Sequence, residues 1–128
     1  MIFGPKTPAV TVQVLHERVG IAQTYYLLDV RTPEEYEEVH LAATNALIPV
    51  DQLEQFVDQL PHDKETPVYC LCRSGRRSAY ATNFLRSIGY KESFNVAGGI
   101  LAWIEAGFPT SSWVERDATT PRNRNYFS

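Results

Sequence analysis

Little in this 128-residue sequence can cross-link the chain or hold a metal. Its two cysteines, Cys70 and Cys72, are separated by a single residue. That placement along one strand is poor geometry for a disulfide. Two thiols and three scattered histidines, His16, His40 and His62, are also too few ligands for a zinc site. No metal and no cofactor are therefore expected. No apolar run approaches the ~18 residues of a membrane-spanning helix. The segment Met1 to Lys6 lacks the charged start and apolar stretch of a signal peptide. A reducing cytoplasm is the expected compartment. An excess of basic charge is missing too: the net charge of −3 argues against nucleic acid or an anionic membrane as partner. No internal repeat is visible.

What is present is the composition of an ordinary globular domain, 44% hydrophobic and 21% charged. The length predicts one domain with a core that needs neither disulfide nor metal. Residues 1–9, with two prolines and a glycine, read as a lead-in. Residues 10–110 read as the domain. Residues 111–128, rich in Ser, Thr, Pro, Asn and Arg, read as a frayed or loosely packed tail, with Trp113, Tyr126 and Phe127 as the candidates if it docks.

Within the domain, strand and helix signals alternate. Val10, Val12 and Val14 have strand spacing, with a helix beginning near Gln13. Tyr25 to Val30 is a buried strand. Thr32, Pro33 and Glu35 form an N-cap, a first-turn proline and a capping box for a short helix to about Val39. Ala46 to Ile48 is a brief strand stopped by Pro49. Leu53, Phe56, Val57 and Leu60 lie at i, i+3, i+4 and i+7, one apolar helical stripe. Val68 to Leu71 is the next strand. Ala81, Phe84, Leu85 and Ile88 form a second stripe, with Gly89 as its C-terminal cap. Ser93 to Val96 is a strand, and Gly98-Gly99 turns into a helix from Ile100 to Ala106 capped by Gly107. This alternation predicts an α/β fold, a central and mostly parallel sheet with helices on both faces.

Ligands of such sheets bind beyond the carboxyl ends of the strands. Cys72-Arg73-Ser74-Gly75-Arg76-Arg77 occupies one of these ends, between the Val68–Leu71 strand and a helix starting near Ser78. Unpaired N–H groups at the helix start, the helix dipole and three arginines all favour an anion at the sulfur. Such surroundings lower a cysteine pKa, and the thiolate is the nucleophile. The pattern predicts cysteine-based group transfer with a small anionic substrate.

Four segments resemble the single-domain rhodanese family. They are Leu28 to Tyr36, Val39 to Pro49, Tyr69 to Ala79 and Asn95 to Trp103, in the family's order. The resemblance spans roughly residues 10–110. It implies the three-layer rhodanese-like fold and a sulfurtransferase: a donor such as thiosulfate gives its outer sulfur to Cys72, and the persulfide passes it to cyanide, a thiol or a sulfur-carrier protein. Covalent two-step catalysis of this kind has ping-pong kinetics. Persulfide charge would be held by loop N–H groups, as in an oxyanion hole.

On this reading Cys72 is the nucleophile. Arg73, Ser74, Gly75, Arg76, Arg77 and Ser78 bind substrate, Arg73 and Arg77 being the first candidates for steering the donor, and at least one arginine is expected to be structural. Asp29 and Arg31 support the site as an ion pair. Cys70 fills the core, although a relay thiol is the other role open to it. His40 is structural, and Glu35 is explained by its capping box. Two departures from the two-domain thiosulfate-using members stand out: Ser74 replaces a lysine two residues after the cysteine, and Glu35 replaces an arginine before the aromatic residue of the first signature. Substrate cations would then come from Arg76 and Arg77. The rival functions are a non-enzymatic rhodanese-like binding module and, ranked lower, a phosphatase or arsenate reductase. Phosphatase chemistry in the related fold needs an arginine six positions after the cysteine, where this chain has Ser78.

Overall fold

In the computed structural model, residues 7–21 and 24–112 are described. Trp113, Tyr126 and Phe127, the candidate docking residues of the tail, lie outside these residues. Five strands form one sheet, β1 (Ala9–Val10), β2 (Tyr26–Asp29), β3 (Ala46–Leu47), β4 (Val68–Leu71) and β5 (Ser93–Val96). Their order is β1-β5-β4-β2-β3, and every pairing is parallel. Residue 9, expected in the lead-in, is thus a strand residue. Before it, the Pro8 carbonyl accepts from Asn95 N–H at 2.9 Å. At the other end Ser111 and His40 exchange two backbone hydrogen bonds, 2.8 and 2.9 Å, which lay the start of the expected tail against the domain.

The central strands β2 and β4 are buried on both faces, so consecutive residues serve two cores. Leu28, Cys70 and Cys72 face a cluster with Leu53, Ala81 and Leu85. Leu27, Tyr69 and Leu71 face another with Leu15, Ile100 and Trp103. The first layer is supplied by α3 (Arg76–Ser87) and a 3-10 helix (Val50–Gln59), the second by α1 (Val12–Gly20) and α4 (Gly99–Glu105).

Local chemistry accounts for most element ends. The capping box of α2 (Pro33–Glu38) is formed: Thr32 Oγ1 accepts from Glu35 N–H at 3.2 Å, and Glu35 Oε1 accepts from Thr32 N–H at 3.0 Å. Helix α3 ends as expected at Gly89, whose φ of 108° lets Gly89 and Tyr90 N–H close back onto Arg86 and Leu85 carbonyls. Two expectations shift. The valine alternation ends at β1, because Thr11 caps α1 by accepting from Val14 N–H, and the helix begins at Val12. The 53–60 stripe is a 3-10 helix with non-helical backbone at Phe56. The break at Phe56 interrupts the stripe, so Leu53 and Leu60 are buried while Phe56 and Val57 are exposed.

Candidate active site

The Cys72 loop joins the carboxyl end of β4 to α3. Helix α3 begins at Arg76, two residues before the expected start, with Gly75 as its N-cap at φ 104°. Ser78 therefore lies in the first turn and is not the cap. This geometry wraps the loop around the sulfur. Gly75 N–H donates to Cys72 Sγ at 3.1 Å, Ser78 N–H at 3.4 Å and the Ser78 hydroxyl at 3.2 Å. Burial opposes ionisation of Cys72. The donors from the Ser78 hydroxyl and the N–H groups of Ser78, Gly75 and Ser74 outweigh it, and its pKa falls below the ordinary thiol value. Only 1% of Cys72 is exposed, which screens the sulfur from bulk water.

The loop is anchored from α4. Ile100 N–H donates to the Cys72 carbonyl at 2.9 Å and Leu101 N–H to the Arg73 carbonyl at 3.1 Å. Gly99 allows this approach: at φ 61°, a Cβ there would lie 2.3 Å from the Arg73 carbonyl oxygen. A second anchor is Asn95 on β5. Its Nδ2 donates to the Gly75 carbonyl at 3.1 Å, and its Oδ1 lies 2.6 Å from Ser78 Oγ. Residue-type reasoning missed Asn95 because nothing local marks it. The signal available was its place in the Asn95 to Trp103 signature.

The three arginines separate. Arg73 and Arg76 are exposed. Arg77, expected to steer the donor, instead forms a bidentate ion pair with Glu35, 2.8 Å at each contact. Glu35 thus does more than cap α2: it ties the first turns of α2 and α3 together. The Arg77 hydrogen bond holds its carboxyl at about 2, against burial, and Arg77 is pushed up in turn.

Asp29 and Arg31 form a buried ion pair with a shortest contact of 2.8 Å at the end of β2. Arg31 Nη2 also donates to the Val39 carbonyl at 2.8 Å, joining β2 to the end of α2. His40 stacks on Tyr36 with centroids 4.0 Å apart, and its Nδ1 lies 2.7 Å from the Tyr36 carbonyl oxygen. Burial lowers its pKa. Cys70 is fully buried in the core, and that burial pushes its thiol up to about 12. Among the described residues there is no group of three or more His, Cys, Asp or Glu side chains placed to hold a metal, and no helix long and apolar enough to cross a membrane.

A parallel sheet that presents one cysteine, cradled by backbone N–H groups, at the mouth of a strand–helix loop is the architecture of a cysteine-loop α/β domain. Residues 11–106 match the rhodanese-like domain family, and the chain belongs to it. A sulfurtransferase of Allochromatium vinosum is 33% identical over 95 residues, covering 74% of this chain and 86% of that protein. The thiosulfate sulfurtransferase GlpE of Tolumonas auensis is 36% identical over 77 residues, covering 60% and 70%. The crystal structure of a rhodanese-related protein from Thermoplasma volcanium superposes with a TM-score of 0.72 at 32% identity, covering 81% of this chain and 97% of that one. Other curated relatives are longer, and the chain spans 24% and 50% of two of them.

Proposed function

We propose that this domain is a sulfurtransferase that carries sulfane sulfur as a Cys72 persulfide. The observation that carries the reading is the convergence of Gly75 N–H, Ser78 N–H and the Ser78 hydroxyl on Sγ, with the thiol pKa lowered. These donors favour the thiolate at rest. They would equally favour the negative charge of a persulfide.

In the first half-reaction the Cys72 thiolate forms a bond to the outer sulfur of thiosulfate. The donor S–S bond breaks, and sulfite leaves with the electron pair. In the second, an acceptor such as cyanide or a thiol attacks the outer sulfur, and the Cys72 thiolate departs with the electron pair of the broken bond. No general base is needed, which agrees with His40 being engaged with Tyr36. Arg73 on the loop and Arg76 at the start of α3, both exposed, attract the anionic donor or an acidic face of an acceptor protein. Ser74 and Gly75 supply N–H groups to the sulfur. Asp29 and Arg31 support the site by holding β2 to α2. The unit that performs this chemistry is residues 10–110, in a reducing compartment such as the cytoplasm that keeps Cys72 available.

The test is intact mass of the reduced protein after thiosulfate, then after cyanide. A gain of one sulfur atom that cyanide removes, absent from Cys72→Ser, is expected. Sulfur uptake retained by a folded Cys72→Ser protein would overturn the assignment. Failure of the native protein to take sulfur from thiosulfate, mercaptopyruvate or a cysteine desulfurase would favour the binding-module reading.

A further inference from the structure

The charge around Cys72 is not what three loop arginines imply. Arg77 presents its forked guanidinium to Glu35, Nη1 to Oε1 and Nη2 to Oε2, both at 2.8 Å. A fork of this kind is what recognises a planar or tetrahedral oxyanion through two parallel hydrogen bonds. Glu35 takes up both donors from within the chain. The carboxylate is itself held in place by α2: Oε1 accepts from Thr32 N–H at 3.0 Å and lies 3.2 Å from Thr32 Oγ1. The pair is thus clamped by the capping box and is not two long side chains meeting in solvent, although 34% of the Arg77 and 28% of the Glu35 side chain remain exposed. Arg77 stands in the first turn of α3 next to Ser78, whose N–H and hydroxyl both donate to the sulfur, and its charge acts on Cys72.

We propose that Glu35 is a specificity-determining residue: by occupying the Arg77 fork it denies small dianionic oxyanions, such as sulfate or thiosulfate, a bidentate cation beside Cys72. The inference rests on Cys72 being the reacting centre. Anion binding is left to Arg73 and Arg76, which are exposed to solvent rather than set in place beside the sulfur by a partner. Small oxyanions accordingly bind weakly. The site is tuned by an acidic residue on α2 rather than by the loop alone.

Glu35→Gln isolates this effect. Glutamine at the third helical position still completes a capping box, so the helix start is kept while the charge is removed. The double variant Glu35→Gln/Arg77→Gln restores the net charge of the native pair without its ions. The probe is inorganic sulfate, which cannot donate sulfur. The readout is its protection of Cys72 from iodoacetamide, followed by intact mass at constant ionic strength. About fivefold tighter protection is expected in Glu35→Gln, with return to the native level in the double variant. The thiosulfate KM should fall in parallel in Glu35→Gln. Equal sulfate protection in native protein and folded Glu35→Gln would overturn the proposal. So would a fivefold weaker protection in the double variant, since Arg77 would then bind anions despite Glu35. If Glu35→Gln does not fold, Glu35→Ser, which frees the same fork, takes its place with the same expected and overturning results. Because sulfate protection needs no turnover, a protein that takes up no sulfur would sink the sulfurtransferase reading and leave this test intact.

Discussion

Ser78 Oγ lies 2.6 Å from Asn95 Oδ1 and 3.2 Å from Cys72 Sγ. One hydroxyl has one proton, so it donates to one of the two acceptors at a time. With Cys72 as a thiol, the S–H can donate to Ser78 Oγ while Ser78 donates to Asn95. With Cys72 as a thiolate, the hydroxyl turns to the sulfur. Sequence neighbours do not create this arrangement; β5 and α3 do, by meeting across the end of β4.

Ser78→Ala should therefore raise the Cys72 pKa, because the charged form loses a donor while burial remains. A hydrogen bond to a charged group is worth about 1.5–3 kcal/mol. Iodoacetamide alkylation near neutral pH should accordingly slow by roughly tenfold or more. The pH–rate profile checks this, and a profile that stays in place would assign the thiolate to the N–H groups alone.

Stability should fall in acid through Glu35. Its carboxyl is held at about 2 against an ordinary 4.5. A carboxyl lowered in the folded state stabilises above its unfolded pKa and loses that contribution as pH drops through the folded value. The window runs from about 4.5 down to about 2. Since the pair is partly exposed, the effect should be about 1 kcal/mol. Urea midpoints of native protein and Glu35→Gln across this range should converge as pH falls.

Arg31→Met should be severely destabilising, by about 3–5 kcal/mol, since it strands the Asp29 carboxylate without its cation in a fully buried position. Denaturant titration measures this directly. A loss under about 1 kcal/mol would mean that Asp29 finds another partner.

Gly99→Ala should damage the loop from the opposite side. The added methyl would lie 2.3 Å from the Arg73 carbonyl oxygen and 2.5 Å from that of Cys72, at a positive φ that alanine disfavours. The expected outcome is loss of the α4 anchor, with sulfur uptake at Cys72 falling more than tenfold in whatever protein remains soluble. Circular dichroism separates this local loss from global unfolding.

The alternation of apolar runs with capped helices is enough to read the strands β2, β4 and β5 and the ends of α2 and α3. These depend on neighbours within a few residues: a threonine three before a glutamate, a glycine just past a helical stripe. The position of Cys72 at a strand end was legible for the same reason. Less legible was the stretch from Leu53 to Leu60, where nothing in the apolar spacing marks the break in helical backbone at Phe56. The start of α3 was also misplaced, because the N-cap is Gly75 in a left-handed conformation rather than a serine whose side chain announces itself.

The sequence by itself determined the α/β layering and the cysteine loop, since both rest on local periodicity and on residue types that act over one helical turn. The division of labour among the loop's cations was decided only by the tertiary structure. Glu35 and Arg77 are 42 residues apart in sequence, and Ser78 and Asn95 are 17 apart. Charge and hydrogen-bond donors are assigned by distance in space, and parallel crossovers bring such residues together without leaving a local trace.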